Sequence, residues 1–358
     1  MRAEHPDSKQ PESPAVERPG RVGPLVTRLL VVGALLLWIG SCAKAKPKLF
    51  DRDRAMSAAP IAKQHRSELI DGSLLDGLNK LRTGDLDAAK AAFIDHLKDH
   101  PKSALSHYHL GLVAMDQERF DPARTHFEKA LRLQPQMYGA MANLGVLYLD
   151  NGEEAAALRR LEEAESVAPN DARVLVNLGN AQLRRGLWSE ANESYAEASK
   201  IVSGHASLMY NQAVALCARH RYDKALKLLD EAVMHRPGFQ LGRALRIVCL
   251  QGLGRVKEAV AEARKNLLEL DASSDLELVL GRALLADGKI DKGIEALRRA
   301  VKLDGTDPNA LLGLGEALDA TGRKVEAIQM YERFLKVKLR AFEDSRRVRK
   351  RLRSLRKN

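Results

Sequence analysis

The sequence predicts an all-α fold, built as a solenoid of eight 34-residue helix–turn–helix repeats. Three observations support this prediction: two small residues per repeat at fixed offsets, a glycine between them, and a constant period. A period of 34 residues is typical of arrays of paired helices. The first marker is small in every repeat but the sixth: Gly77, Gly111, Gly145, Gly179, Ala213, Ile247, Gly281 and Gly315. The second marker is Ala89, Ala123, Ala157, Ala191, Ala225, Ala259, Gly293 and Ala327.

Each residue class in the repeat has a physical reason. Small residues let the two helices of a repeat approach closely, and a larger residue such as Phe127, Leu161, Tyr195 or Leu229 fills the space beside them. A proline after the second helix ends it, because proline cannot continue a hydrogen-bonded helix. Glycines at one offset suit a turn that requires positive φ. They are Gly84, Gly152, Gly186, Gly254, Gly288 and Gly322.

The sixth repeat departs from the pattern. Ile247 replaces the close-contact small residue, Asn266 replaces the later small residue, and Asp271 replaces the proline. We therefore expect looser helix packing in this repeat.

Residues 70–339 carry a pattern that resembles the tetratricopeptide repeat family. The second repeat shows it most fully, with Leu110, Gly111, Ala123, Phe127, Ala130 and Pro135 at family positions. The resemblance implies a right-handed superhelix in which the first helices of the repeats line a concave groove that binds peptides.

The basic character of the chain belongs to its ends. The formal net charge is +11, yet residues 336–358 carry eleven basic and two acidic side chains, and residues 70–335 are close to neutral at about −3. Residues 340–358 are predicted to form a basic capping helix, since terminal repeats need a cover with a polar outer face. Its apolar stripe is Leu335, Leu339, Phe342, Val348, Leu352 and Leu355.

An alternative is that this tail binds an acidic partner such as a lipid head group. We do not expect a nucleic-acid partner, because the tail lacks interleaved aromatic residues and any known module.

The N-terminal residues 1–41 are predicted to be an extension and a signal peptide. A 12-residue apolar run from Leu29 to Gly40 is too short for a comfortable bilayer span of about 20 residues. It ends in Ile39, Gly40, Ser41 and Cys42, which resembles a bacterial lipoprotein signal. The resemblance implies lipidation of Cys42, a tether over residues 42–69, and, with Ala43 next, an outer-membrane location facing the periplasm of a Gram-negative bacterium.

An uncleaved inner-membrane anchor is the alternative for this segment. Lys44, Lys46, Lys48, Arg52 and Arg54 follow the apolar run closely. Positive charge tends to stay on the cytoplasmic side, which favours an inverted signal anchor.

The sequence predicts no catalytic residue, cofactor or metal site. His96 and His100 are spaced as metal ligands can be on a helix, with His107, His109 and His126 nearby, but packing and surface roles are expected for them. Cys217 and Cys249 lie at offsets that differ by two, so their side chains are expected to point in different directions. A disulfide between them is therefore not expected.

Candidate peptide-binding residues lie on the predicted first helices. Asparagine occupies one offset in three successive repeats, and a side-chain amide offers both a donor and an acceptor to an extended peptide backbone. Similar asparagine ladders bind peptides in some members of the resembled family. Tyrosine recurs at another groove offset, and further polar residues share the fourth repeat. The set is Asn143, Asn177, Asn211, Tyr108, Tyr210, Asn180, Arg173 and Arg184.

These observations lead to three functional hypotheses. The first is a membrane-anchored scaffold that binds peptide segments of partner proteins in the cell envelope and aids assembly of a pilus or secretin type of complex. The second is an inner-membrane, signal-anchored regulator of envelope lipid synthesis. The third is a metal carrier or enzyme that uses the N-terminal histidine group.

Overall fold

The computed structural model describes residues 71–337 and 342–356. The predicted signal peptide, Cys42 and the tether lie outside the described residues. Within the described ranges, no helix combines the length and the apolar character that crossing a bilayer requires.

The described residues form seventeen helices, which are eight antiparallel pairs and one final helix. The first helices of the pairs are α1 (Gly72–Thr83), α3 (Ala104–Asp116), α5 (Tyr138–Asn151), α7 (Ala172–Arg184), α9 (Ala206–Ala218), α11 (Gln240–Gly252), α13 (Ser274–Ala286) and α15 (Pro308–Ala320). The second helices are α2 (Leu86–Asp99), α4 (Phe120–Leu133), α6 (Glu154–Val167), α8 (Trp188–Ile201), α10 (Tyr222–His235), α12 (Val256–Glu269), α14 (Ile290–Leu303) and α16 (Lys324–Lys336). Helix α17 (Phe342–Leu355) follows. The predicted all-helical solenoid is confirmed.

The turn between the two helices of each repeat has a left-handed residue at the predicted offset. All six glycines predicted there have positive φ, for example 85° at Gly84 and 74° at Gly152. The same offset holds Glu118 and His220 in the second and fifth repeats, with φ of 58° and 57°. The turn geometry is therefore imposed by the repeat, even where the residue has a Cβ atom that disfavours it.

Close contact between a glycine and a large side chain joins the two helices of most repeats. A Cβ atom on Gly111 would lie 2.5 Å from the Phe127 ring, and one on Gly145 would lie 2.5 Å from Leu161 Cγ. Real Cβ atoms do not approach other heavy atoms so closely. The predicted role of the small residues in helix packing is confirmed.

The first helices lie on the inner side of the row of repeats. Each second helix packs against its own first helix and the first helix of the next repeat. Neighbouring first helices also contact one another in most pairs, whereas neighbouring second helices have no comparable contact. Because the first helices are closer together than the second helices, the row curves with the first helices inside.

The sixth repeat packs differently, as predicted. Helices α11 and α12 contact each other at fewer positions than the helices of any other repeat. Ile247 is fully buried in the position of the small residue. Polar bridges span the wider gap: Arg243 Nη1 donates to Asn266 Oδ1 at 2.8 Å, and Arg246 pairs with Glu262.

The prediction that Cys217 and Cys249 point apart is wrong. Both side chains are buried, and their Sγ atoms lie 3.0 Å apart between α9 and α11. Residues two positions apart on a helix point about 200° apart. Neighbouring first helices, however, contact each other through opposite sides. The offset of two therefore directs the Cys217 side chain from α9 towards α11 and the Cys249 side chain from α11 towards α9, so the two thiols meet.

Helix α17 covers the end of the last repeat. Val348, Leu352 and Leu355 are buried against the array. Ion pairs fix the orientation of the helix: Arg347 with Glu316, Arg351 with Asp319, and Arg356 with Glu332. Part of the basic charge of the tail is thus neutralised by carboxylates of the last repeat.

We predict that Gly111→Ala lowers the stability of the array by roughly 1–3 kcal/mol, because the new methyl group overlaps the Phe127 ring. Gly313→Ala is the matched control: the nearest atom to its Cβ would be 3.5 Å away, in ordinary contact. Alanine there should stabilise helix α15 by about 0.5–1 kcal/mol. Urea denaturation followed by circular dichroism measures both, and equal effects of the two substitutions would contradict the packing described.

We predict that mild oxidation with diamide joins Cys217 to Cys249 in a Cys42→Ser background. Two thiols lose two electrons and two protons to the reagent, and one disulfide forms. Thiol titration of the denatured protein should show the loss of two thiols per chain, and Cys249→Ser should prevent it. Retention of both thiols after oxidation of the folded protein would argue against the stacking of α9 on α11.

Candidate functional site

The predicted binding residues lie on α3, α5, α7 and α9, on the inner side of the row. We call this surface the inner row. It does not present eight equivalent side chains, because some of them bond to the neighbouring repeat.

Tyr108 anchors one end of the inner row. Its side chain is buried against α5, where a Cβ atom on Gly139 would lie 3.0 Å from the hydroxyl oxygen. Burial raises the pKa of Tyr108, and the Asn143 amide, which donates a hydrogen bond to the hydroxyl oxygen, partly opposes that rise. Asn143 therefore links the second and third repeats as well as facing the inner side.

A charged pair at the start of α7 borders the Tyr108 hydroxyl. Asp171 accepts hydrogen bonds from the backbone N–H groups of Arg173 and Val174 and pairs with the Arg173 guanidinium at 2.9 Å. Burial alone would raise the pKa of Asp171, but these hydrogen bonds and the positive charge outweigh it and lower that pKa. Tyr138 lies next to Asp171, and burial together with that carboxylate raises its pKa.

Asp171 and Tyr138 are neighbours of the predicted site residues that were not predicted from the sequence. Asp171 carries a detectable signal, because an aspartate directly before a predicted helix is a frequent N-cap. Tyr138 carries no such sequence signal, because the residues that it contacts at the site come from another repeat.

Asn177 is the available amide of the inner row. Its side chain is half-buried and has no hydrogen-bond partner among the described residues. Arg173 lies four positions earlier on the same helix, so both side chains share one face. The Arg173 side chain is 32% exposed. Together they present donors and an acceptor on the inner side.

The other predicted residues of the fourth and fifth repeats are engaged in packing. Asn180 is 3% exposed, and its Oδ1 accepts from the Tyr195 hydroxyl at 2.7 Å and from Asn211 Nδ2 at 3.3 Å. Arg184 donates to the Leu149 carbonyl of the preceding repeat. The predicted asparagine ladder thus consists of three residues with different surroundings.

Tyr210 also lies within the packing of the array. Its buried ring meets Phe239 edge to face, with the ring centroids 5.4 Å apart. We therefore assign the accessible part of the inner row to the third and fourth repeats.

A second cluster lies at the N-terminal end of the array. His96 on the last turn of α2 and His100, the C-cap residue directly after α2, stack with their ring centroids 4.5 Å apart. Asp71 Oδ2 lies 2.9 Å from His100 Nε2 and 3.5 Å from His96 Nε2. Hydrogen bonds from the Leu74 backbone N–H and the Ser73 hydroxyl, with smaller contributions from the two histidines, lower the pKa of Asp71 to about 2.

A further histidine pair bridges α3 and α4. The Nδ1 atoms of His107 and His126 lie 3.2 Å apart. Burial, together with smaller contributions from His107 and nearby lysines, lowers the pKa of His126 to about 4. Both rings are therefore best accommodated in their neutral form.

This pair generates a pH prediction. The unfolded chain takes up a proton at His126 near pH 6.5, whereas the folded chain does so only near pH 4. The contribution of the neutral His126 ring to the free energy of unfolding is therefore complete above pH 6.5 and is lost as the pH falls towards 4. We expect His126→Gln to flatten the acid side of the stability curve, measured by urea denaturation at a series of pH values. The exposed His235→Gln is the control, and an unchanged profile in His126→Gln would refute the assignment.

Comparisons with known proteins agree with the architecture. A tetratricopeptide repeat profile matches residues 74–138, 177–240 and 278–345, which is more than half of the chain. A second tetratricopeptide repeat profile matches residues 114–175. A search of the curated proteins found no match.

Solved structures share the fold at low sequence identity. A tetratricopeptide repeat protein from Parabacteroides merdae is 16% identical with a TM-score of 0.53, covering 69% of this chain and 97% of its own. Yeast Tom70 is 14% identical with a TM-score of 0.54, covering 93% of this chain and 74% of its own. PilW, a widely conserved type IV pilus biogenesis factor, is 17% identical with a TM-score of 0.52, covering 58% of this chain and 96% of its own.

The profile matches cover most of the helix pairs, and the three segments of the first profile begin about three 34-residue periods apart. The chain therefore belongs to the tetratricopeptide repeat family.

Proposed function

We propose that this chain is a membrane-anchored scaffold in the bacterial cell envelope that binds extended peptide segments of partner proteins along its inner row. The observation that carries the proposal is the pair formed by Asn177 and Arg173. Both polar side chains are partly exposed on the inner side, on a helix held in place from both sides by neighbouring repeats.

The chemistry of this pair suits a peptide backbone. An amide side chain can donate to a peptide carbonyl and accept from a peptide N–H at the same time. The Arg173 guanidinium adds donors suited to a carbonyl or a carboxylate of the ligand. Because Asp171 already pairs with Arg173, little conformational freedom remains for that side chain to lose on binding.

The buried neighbours of the pair support this function. Tyr108 and Asn143 fix the spacing between α3 and α5, and Asn180 with Tyr195 fixes α7 against α8. Residues that hold a site rigid reduce the entropy cost of binding. The inner row is thus a preorganised surface in which few side chains are left to meet the ligand.

The proposed location rests on the N-terminal sequence. The Ile39–Cys42 segment has the form of a lipoprotein signal, and lipidation would hold the array at the membrane. PilW shares the fold and is a type IV pilus biogenesis factor, and on this basis we propose assembly of an envelope complex as the process that this chain serves. Inner-membrane regulation of lipid synthesis through an uncleaved anchor is the alternative for the same segment.

The binding prediction uses peptides selected from a random display library on the full-length chain. Asn177→Ala should weaken their binding by about 2–13-fold for each lost hydrogen bond, since one such bond contributes about 0.5–1.5 kcal/mol. Asn177→Trp should abolish it by filling the inner row. Fluorescence anisotropy measures each dissociation constant.

The matched control is Glu193→Ala, an exposed position on the second helix α8 of the same repeat. Its affinities should equal those of the wild type. Selected peptides that bind Asn177→Trp as tightly as the wild type would place the binding surface elsewhere.

The anchoring prediction is tested in cells that process lipoproteins. Labelled palmitate should appear on the wild-type chain and be absent from Cys42→Ala, because the diacylglycerol is attached through that sulfur. An unlabelled wild-type chain that retains its N-terminus and fractionates with the inner membrane would favour the signal-anchor alternative.

A further inference from the structure

We propose that Asp71, His96 and His100 form a binding site for a divalent first-row transition-metal ion, such as zinc, at the N-terminal end of the array. This inference is independent of the peptide-binding function. It concerns three side chains that the sequence separates by up to 29 positions and the fold brings together.

The three ligand atoms have the spacing of a metal site. One ligand atom from each residue lies within 4.8 Å of the others. Ligand atoms at about 2.0–2.1 Å from a tetrahedral zinc ion stand roughly 3.3 Å apart. The distance from Asp71 Oδ2 to His96 Nε2 is 3.5 Å, and that to His100 Nε2 is 2.9 Å. These two distances lie on either side of the value for a tetrahedral ion, and the two histidine ligand atoms lie within 4.8 Å of each other.

His96 provides the observation that points to a cation. Its side chain is 2% exposed, and its Nε2 atom has no hydrogen-bond partner among the described residues. The direct contact between Asp71 and His100 leaves this nitrogen unsatisfied, and a buried polar atom without a hydrogen-bond partner destabilises the folded state. A metal ion bound between Nε2 and the Asp71 carboxylate would satisfy it.

Surrounding contacts orient two of the ligands. Asp71 Oδ1 accepts from the Leu74 backbone N–H at 2.9 Å and from the Ser73 hydroxyl at 2.8 Å, so Oδ2 is directed at the histidines. His96 Nδ1 lies 2.7 Å from Ser106 Oγ. When Nδ1–H donates to that oxygen, the lone pair of Nε2 faces Asp71, which is the tautomer that a metal ligand requires.

The ligand set and the exposure of His100 agree with this chemistry. Two imidazole nitrogens and one carboxylate oxygen suit zinc and its neighbours in the first transition row. The His100 side chain is 50% exposed, so an ion can reach the site from solvent. Three protein ligands leave a further coordination position for water or an external ligand.

The His107 and His126 pair is a weaker candidate. It brings two ring nitrogens together, and no carboxylate of the described residues completes a three-residue group with them. The pair of His107 and His126 therefore serves as the internal control in the zinc-binding test.

An ion at this site would join the start of α1 to the end of α2 within the first repeat. Asp71 caps α1, His96 lies on the last turn of α2, and His100 is the C-cap residue directly after α2. The stability of a repeat array is approximately a sum of the stabilities of its repeats and of their interfaces. A metal that holds both helices of the first repeat would therefore stabilise that repeat against fraying.

The test titrates Zn²⁺ alone into the full-length chain, purified without an affinity tag in mild detergent after chelator treatment. Isothermal calorimetry should show a zinc site that Asp71→Asn and His100→Gln each weaken at least about tenfold. His126→Gln should leave it unchanged. Co²⁺ as a second probe should give the visible absorption of a nitrogen- and oxygen-ligated site in the wild type, absent from His100→Gln.

The chosen variants keep the fold. Asparagine is as good an N-cap as aspartate, and His100 is half-exposed, so circular dichroism should confirm folded protein in both cases. Zinc should raise the unfolding temperature of the wild type and not that of His100→Gln. Wild-type binding that equals that of the Asp71→Asn/His100→Gln double variant would overturn the proposal, as would a wild type that binds no zinc.

Discussion

The contact of one glycine with one large side chain sets the geometry of this protein. Gly111 against Phe127 and Gly145 against Leu161 bring the helices of a repeat so close that no Cβ atom fits between them. The same contact recurs in six of the eight repeats, where it fixes the distance between the two helices. Where Ile247 replaces the glycine, the helices separate and arginine bridges take over.

The inner row follows from this arrangement. Because the second helices pack against one side of each first helix, the other side is left to face the interior of the curve. Several polar groups there bond to the preceding repeat, as Asn143 does to Tyr108 and Asn211 to Asn180. These bonds fix the register between repeats, and they leave Asn177 and Arg173 as groups able to meet a ligand.

The features that depend on residues within one repeat could be predicted from the sequence. The period, the glycine turns and the close contacts all follow from residues within 34 positions of one another. Even the unusual turn residues Glu118 and His220 obey the register, although their residue types gave no indication of positive φ.

Features that join repeats were not recovered. The meeting of Cys217 with Cys249 depends on which sides of neighbouring first helices face each other, and a period alone does not contain that information. Asp71 was not predicted to join the histidine cluster, because it precedes the first helix and lies far in sequence from His96 and His100. The three asparagines of the predicted ladder share one position in the repeat, but the sequence does not show which hydrogen-bond partners surround each of them.

Hydrogen exchange of the full-length chain, with and without a selected peptide, tests the central claim most directly. If the inner row binds the peptide, amide exchange should slow in the first helices α5 and α7 and stay unchanged in the second helices α6 and α8. Slowing confined to the second helices or to α17 would contradict the account, because the ligand would then lie on the outer side or at the end of the row.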